Sequence, residues 1–143
     1  MAFLSVKFDL PMVKEPKGDN ITAPEKIAEI CRDLQKLGQE AFQILTLNSR
    51  NKMIDRHLIT LGLVDACLIR PREVFRSALL DDAAAIILVH NHPSGDPQPS
   101  EADIKITREM VAAGKIIGVK VLDHVIIGAT HYSIREGGLV AFN

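Results

Sequence analysis

The sequence predicts an α/β fold: one domain with a central mixed β-sheet flanked by about three helices. A length of 143 residues suits a single hydrophobic core. Hydrophobic residues make up 47% of the chain and charged residues 24%, close to the average of globular proteins. Segments with helical spacing alternate with short strand-like segments. One of these, 83–89, is a continuous apolar run typical of a strand that is buried on both faces.

The first forty residues predict an arm and a helix. Residues 3–13 alternate loosely and predict an N-terminal strand or arm. Thr22 as N-cap, Pro24 in the first turn and Glu25 three residues after the cap predict a helix start. Gly38 then supplies a stop. Between these limits the apolar residues follow at helical spacing: Ile27, Ile30, Cys31, Leu34 and Leu37.

Two strands and a helix are predicted next. The alternation of apolar residues over 41–48 predicts a strand, which a tight turn at 48–51 joins to a second strand near 52–61. The segment 62–69 is ambiguous between loop and strand. Pro71 opens a helix that ends near Leu80, with one apolar face formed by Val74, Phe75, Ala78 and Leu79.

The remaining elements follow the apolar run. A loop rich in Gly and Pro covers 93–99, a helix is predicted near 101–116, and strands are predicted at 119–128 and 130–134. We expect residues 1–37 to form an arm and a helix that pack on the domain formed by 38–143.

Composition limits the classes of partner. The net charge of −1 gives no case for nucleic-acid binding, and the absence of Trp with only one Tyr argues against a base-stacking surface. Cys31 and Cys67 lie far apart, and the sequence shows no secretory leader and no apolar run of transmembrane length. We therefore expect a cytoplasmic protein with buried free thiols and no membrane contact. A homo-oligomer is open, because the N-terminal arm could pair with another subunit.

The pair His90 and His92 is the first candidate for chemistry. Alternate residues of an extended strand point to the same side, so both imidazoles project together where the buried strand ends. Ligand sites of α/β folds commonly form at that end of a strand. On the pair alone, a metal site and two solvated loop histidines are about equally supported.

Asp103 shifts this balance. With Ser100 as N-cap, Asp103 lies in the first helical turn, and the Gly/Pro-rich loop can fold that turn over the strand end. Two imidazoles and one carboxylate form a tripod typical of catalytic zinc, with water as the fourth ligand. A capping box alone would also explain Ser100 and Asp103.

A hydrolytic site also needs a proton acceptor. Glu40 lies at the entrance of the first predicted strand, from which its side chain can reach a neighbouring strand end. Glu73 lies in the first turn of a helix, where the helix dipole accounts for it without any function. The residues alone favour Glu40 over Glu73 only modestly. Of the other histidines, we expect His57 and His131 to be solvated and His124 to be a satisfied core or edge residue.

These residues resemble a known signature. The spacing His90-x-His92-x(7)-Ser100-x(2)-Asp103 is similar to the JAMM (MPN+) motif of the JAB-domain superfamily. The surrounding segments resemble the RadC family from about residue 38 to the C-terminus. They are Arg70-Pro-Arg-Glu-Val-Phe75, the run from Ala83 through His-Asn-His-Pro-Ser to Gly95, Pro99-Ser-Glu-Ala-Asp103 and Leu122-Asp-His-Val-Ile-Ile-Gly128.

The resemblance implies a cytidine-deaminase-like JAB/MPN fold that binds Zn²⁺ through His90, His92 and Asp103. It also implies that Ser100 hydrogen-bonds the water or the developing oxyanion, and it makes Glu40 the clear favourite as general base and acid. Gly62-Leu63 and Arg70 stand where family members often have Gly-Thr and His, which bears on loop packing. RadC proteins of full length also carry an N-terminal helix-hairpin-helix domain, which this chain is expected to lack.

The leading hypothesis is therefore a zinc-dependent metallopeptidase or isopeptidase that acts on a peptide or protein. Two histidines and one carboxylate also match the iron site of non-haem oxygenases, although the His-x-His order fits that class poorly. The traditional label of the RadC family as DNA repair proteins leaves a third reading, a non-enzymatic repair accessory or interaction module with a zinc site.

Overall fold

The computed structural model describes residues 21–62 and 68–143. Their elements follow in chain order: α1 (Pro24–Ile30), a 3₁₀-helix (Arg32–Lys36), β1 (Ala41–Leu47), β2 (Met53–Leu61), α2 (Pro71–Leu80), β3 (Ala85–Asn91), α3 (Glu101–Ile117), β4 (Lys120–Ile127) and β5 (His131–Ser133). The predicted N-terminal arm and Cys67 lie outside the described residues. None of the helices in the described part is long and apolar enough to cross a membrane.

The five strands form one mixed sheet, as predicted. Their spatial order is β2-β1-β3-β4-β5, with β3 and β4 parallel and the other neighbours antiparallel. All seven residues of β3 are buried, because helices cover both faces of this central strand. The strand runs from Ala85 to Asn91 rather than over 83–89, so His90 belongs to the sheet and only His92 follows it.

The sheet has a hydrophobic core on each face. On one face α2 and α3 pack against alternate residues of the central strands, among them Ile44, Ile86 and Leu88. On the other face α1 and the 3₁₀-helix pack against Leu45, Ile87 and Val89 through a separate set of buried residues: Ile27, Cys31 and Leu34. One face thus buries even-numbered residues of β3 and the other buries odd-numbered ones, as the period of two requires.

The first helix differs from its prediction at both ends. Ala23 is the N-cap and no side chain caps the helix, so the predicted Thr22 cap is wrong, although Pro24 does open the first turn. After Cys31 the helix tightens into 3₁₀ geometry, and it ends where Leu37 becomes extended. Gly38 has no positive φ and is not a left-handed helix stop.

The other helices follow their predictions closely. α2 begins at Pro71 and buries Val74, Phe75 and Ala78, whereas Leu79 is 58% exposed and does not belong to the predicted apolar face. α3 begins after the predicted N-cap Ser100, and it ends at Gly118 in the left-handed conformation.

Candidate metal centre

The end of strand β3 brings His90 and His92 together. His90 is the sixth residue of β3, and the backbone N–H of His92 donates to the carbonyl oxygen of Ile127 at 2.9 Å, which holds the chain extended past the strand end. The two Nε2 atoms therefore face each other at 3.1 Å. Both are nitrogen atoms of the kind that binds transition metals.

Asp103 joins them from the first turn of α3. Its Oδ1 lies 3.1 Å from His90 Nε2, and its Oδ2 lies 3.0 Å from His92 Nε2. The predicted capping box fixes this carboxylate: Ser100 N–H donates to Asp103 Oδ2 at 2.8 Å, and Asp103 N–H donates to Ser100 Oγ at 3.1 Å. The side chain that completes the capping box thus also faces both imidazoles.

The spacing of these donors fits a single metal ion. Ligand atoms about 2.0–2.1 Å from a tetrahedral ion are separated by about 3.3 Å from one another. The two Nε2 atoms are 3.1 Å apart, and each lies 3.0–3.1 Å from a different carboxylate oxygen of Asp103. Two nitrogen donors and one oxygen donor form the ligand set of catalytic zinc sites, in which a fourth position stays open.

The outer nitrogens of both histidines are also held. His92 Nδ1–H donates to the carbonyl oxygen of Asp96 at 2.8 Å, which leaves Nε2 as the metal-facing atom. His90 Nδ1 lies 2.7 Å from Nε2 of His124 on β4, and the ring of Phe42 stacks on His90 with centroids 5.8 Å apart. Hydrogen bonds of this kind orient histidine ligands in metal proteins. His124 is fully buried and has partners on both ring nitrogens, which confirms the predicted core role.

The electrostatics of the site favour an ionised Asp103. Burial alone would raise the pKa of this carboxyl, but hydrogen bonds from His90 and His92 outweigh it and hold the pKa well below its usual range. The hydrogen bond to Asp103 in turn raises the pKa of His92, partly opposed by burial of the ring. The carboxylate is thus ready to bind a cation.

Glu40 lies beside the tripod on its accessible side. A carboxylate oxygen of Glu40 and one ring nitrogen each of His90 and His92 lie within 4.8 Å of one another. Glu40 and His92 line a surface depression of about 540 Å³ together with Ser100 and neighbouring loop residues. Glu73 borders a different depression on α2, beside Phe75 and exposed Leu residues. Of the two candidate carboxylates, Glu40 therefore lies beside the histidines and Glu73 does not border the same depression.

Asn91 was not among the predicted site residues, yet it holds Glu40 from both sides. Its Oδ1 accepts from the backbone N–H of Ala41 at 2.7 Å, and its Nδ2 donates to the carbonyl oxygen of Gln39 at 3.1 Å. Asn91 lies between the two histidines but points to the opposite face of the sheet. The strand pattern accounts for its burial, since only 1% of Asn91 is exposed. Its hydrogen-bond partners lie about 50 residues away in the sequence, so no local pattern indicates them.

The loop that carries His92 packs tightly against the end of β4. Gly95 N–H donates to the His92 carbonyl at 3.0 Å, and Ala129 N–H donates to the Gly95 carbonyl at 2.7 Å. A Cβ on Gly128 would collide with the Gly95 carbonyl oxygen and lie 2.9 Å from the nitrogen of Pro97. Glycine at 128 therefore permits the loop to fold back over the site.

A second group with metal-ligand atoms comprises Asp55, His57 and Asp81. His57 Nε2 lies 2.5 Å from Asp81 Oδ2, and Thr46 Oγ donates to the same oxygen at 2.8 Å. These contacts account for the buried carboxylate of Asp81 as part of a hydrogen-bonded pair. They also show that the prediction of a solvated His57 is wrong, since its side chain is only 22% exposed.

Comparison with known proteins places this chain in a family. The sequence model of the RadC-like JAB domain matches residues 21–139. The chain is 40% identical over 142 residues to a UPF0758 protein of Caldanaerobacter subterraneus, covering 96% of this chain and 61% of the relative. It is 45% identical over 122 residues to a UPF0758 protein of a Geobacillus species, covering 84% of this chain and 54% of the relative.

A UPF0758 protein of Methanosarcina acetivorans is 40% identical over 129 residues, covering 90% of this chain and 56% of the relative. The chain therefore spans between half and two thirds of the length of these relatives. A mixed five-stranded sheet, the His-x-His strand end and the capping-box aspartate all lie within the matched range. The chain belongs to the RadC-like JAB domain family.

Proposed function

We propose that this chain is a zinc-dependent hydrolase of the JAMM type that cleaves an amide bond, either peptide or isopeptide. The observation that carries the proposal is the convergence of His90, His92 and Asp103, whose facing atoms lie 3.0–3.1 Å apart beside the carboxylate of Glu40. A site built only for structure would need no accessible carboxylate next to a three-ligand set.

The tripod would hold the ion and leave one side open. The side chains of His90 and Asp103 are each 4% exposed and that of His92 is 14% exposed, so access is from the His92 side. That is the side on which Glu40 and Ser100 line the depression. A bound zinc ion would act as a Lewis acid that polarises a substrate carbonyl and lowers the pKa of a coordinated water to about 7.

Glu40 is the proposed general base and acid. Its carboxylate would take a proton from the attacking water and deliver it to the leaving nitrogen, as an amide needs protonation of that atom before the C–N bond breaks. Asn91 fixes the backbone on both sides of Glu40 and so limits the positions that the carboxylate can take. Preorganisation of this kind lowers the entropic cost of proton transfer.

Ser100 is the proposed donor to the oxyanion. Its Oγ accepts from Asp103 N–H, which leaves the hydroxyl proton to be donated to another group. Ser100 is exposed and shares the depression with Glu40 and His92, so a substrate carbonyl at the ligands would lie near this hydroxyl. The open depression suits a peptide or protein substrate, and its selectivity would depend on the surrounding loops.

Metal content and one variant pair test the proposal. Purification without added metal and elemental analysis should give about one zinc per chain, whereas iron with oxygen-dependent activity would contradict the zinc assignment. Hydrolysis is then assayed with a mixed-sequence quenched-fluorescent peptide library and with a branched isopeptide. Glu40→Gln should keep the zinc and lose about 10²–10⁴-fold in turnover.

Glu73→Gln is the matched control, because Glu73 is exposed in the first turn of α2 and lies outside the depression. Its activity should equal that of the wild type. Unchanged turnover in Glu40→Gln would refute the assignment of the base. One bound zinc with no hydrolysis of either probe by the wild type would instead favour a non-catalytic zinc module.

A further inference from the structure

Two buried side chains behind His90 have no part in the proposed catalytic steps. They are His124 on β4 and Thr107 on α3, both 0% exposed. His124 Nε2 lies 2.7 Å from His90 Nδ1, and His124 Nδ1 lies 2.6 Å from the Thr107 hydroxyl. The same hydroxyl donates at 2.6 Å to the backbone carbonyl oxygen of Asp103. A hydrogen-bonded chain thus joins one proposed ligand to the backbone of another.

The protons in this series of hydrogen bonds can be placed by counting donors and acceptors. The hydroxyl of Thr107 has one proton, and the carbonyl oxygen of Asp103 can only accept, so the proton lies in that contact. The hydroxyl oxygen must therefore accept in its contact with His124. It follows that Nδ1 of His124 carries a proton.

The same assignment of donors and acceptors extends to His90. His124 is fully buried, and its two ring nitrogens contact a hydroxyl and another imidazole rather than a carboxylate. A charged imidazolium there would be costly, so His124 is neutral and its Nε2 has a lone pair. His90 Nδ1 must then donate to it, so a metal ion can bind His90 only through Nε2, the atom that faces Asp103 and His92.

We propose that Thr107 and His124 are positioning residues that set the tautomer of His90 and thereby present its Nε2 to a metal ion. This inference rests on the proposed function in one respect, that His90 is a metal ligand. If Thr107 and His124 only filled the core, they would have no influence on which ring nitrogen of His90 carries the proton. The two explanations differ in what happens when the hydroxyl of Thr107 is removed.

Thr107→Val removes the hydroxyl and keeps the shape of the side chain. His124 then loses the acceptor for its Nδ1 proton, and the Nε2–H tautomer, which donates to His90, becomes accessible. His90 would accept at Nδ1 and carry its own proton at Nε2, where the metal must bind. Loss of an outer hydrogen-bond partner of this kind typically weakens metal binding about 10–100-fold.

The first measurement is the tautomer itself. Long-range ¹H–¹⁵N spectra of the metal-free, ¹⁵N-histidine-labelled protein distinguish Nδ1–H from Nε2–H rings, with His90 assigned by comparison with His90→Gln. The wild type should show Nδ1–H at both His90 and His124, and Thr107→Val should shift His90 toward Nε2–H. An Nε2–H ring at His124 in the wild type would overturn the inference.

The second measurement is zinc affinity by competition with a chromophoric chelator. Thr107→Val should bind zinc about 10–100-fold more weakly, and Thr107→Ser, which restores the hydroxyl, should bind within about twofold of the wild type. Thr46→Val is the matched control, because Thr46 is equally buried and its hydroxyl donates to Asp81, away from the site. Wild-type affinity in Thr107→Val, or a loss no larger than in Thr46→Val, would overturn the inference.

Neither measurement needs turnover, so the two proposals fail separately. Zinc binding with the expected tautomers but no hydrolysis would refute the hydrolase and leave the positioning role. Hydrolysis with an Nε2–H ring at His124 would refute the positioning role and leave the hydrolase.

Discussion

Asn91→Ala is the substitution that best isolates how this fold places its proposed base. The Asn91 side chain makes two hydrogen bonds, one on each side of Glu40 in the chain, and neither of these bonds involves a histidine or Asp103. Removal of its side chain should therefore leave the ligand tripod intact. The expected defect is a Glu40 carboxylate that is less well positioned.

The cost to stability follows from the two lost hydrogen bonds. Ala41 is 1% exposed, so its N–H becomes a buried donor without its partner, which costs about 1–3 kcal/mol. Gln39 is exposed, so water can replace Asn91 at its carbonyl oxygen and little is lost there. We expect the free energy of unfolding to fall by about 1–3 kcal/mol.

The cost to activity should be larger than this stability loss implies. A misplacement of about 1 Å in a catalytic group can lower turnover about 10²-fold. Denaturant unfolding gives the stability change, elemental analysis the zinc content, and the peptide assay the turnover. Amide hydrogen exchange adds a direct readout, because the Ala41 N–H should lose its protection.

Asn48→Ala is the matched control for this prediction. Asn48 also fixes backbone through its side chain, accepting from the N–H groups of Arg50 and Lys52, but it does so in the turn before β2. It should lose stability and keep full turnover. A second test is the double variant of Asn91→Ala with Glu40→Gln: if Asn91 acts through Glu40, the activity losses will not add.

Two outcomes would refute the reasoning. Full turnover in a folded Asn91→Ala protein would show that the two hydrogen bonds do not position the base. Loss of zinc in Asn91→Ala would show that its effect passes through the histidine ligands instead.

One further prediction concerns the packing around the site, and another concerns a thiol in the core beneath α1. Gly128→Ala should place a methyl group against the Gly95 carbonyl and displace the loop that carries His92. We expect it to lower the free energy of unfolding by about 1–3 kcal/mol and to weaken zinc binding, which thermal unfolding and zinc competition measure. Gly38→Ala is the control and should change neither quantity, because no atom lies within 4 Å of its Cβ. Burial raises the pKa of Cys31 to about 11, so the unfolded chain loses this proton at a lower pH than the folded one. Stability should therefore fall between about pH 9 and 11, by up to about 3 kcal/mol. Cys31→Ala should flatten that slope, and equal slopes in denaturant titrations would contradict the assignment.

The sequence predicted the parts of the site that depend on local geometry. Alternation along a strand placed His90 and His92 on one side, and the capping-box spacing placed Asp103 in the first turn of α3. Both patterns act over fewer than five residues, so no knowledge of the tertiary structure was needed. Thr22 is not the N-cap because the helix begins at Pro24, which makes Ala23 the N-cap, and this residue has no side chain that can cap.

The parts that escaped prediction depend on strand order. His57 resembled a solvated histidine until Asp81, 24 residues away, was placed beside it. Asn91 carried no prediction, because nothing local indicates that β1 pairs with β3 and brings Ala41 next to it. Sequence alone gave Glu40 only a modest preference over Glu73, since the choice depends on which strand lies next to the ligand strand.

The order of the strands explains why one segment can serve both halves of the site. β3 lies between β1 and β4, and successive side chains of β3 point to opposite faces. His90 therefore contacts His124 from β4, while Asn91 turns to the other face and binds the backbone at the start of β1, next to Glu40. A slip of one residue in the pairing of β1 with β3 would exchange the two faces and separate the proposed ligands from the proposed base. The register in which β3 pairs with β1 and β4 thus determines the geometry of the site as much as its polar residues do.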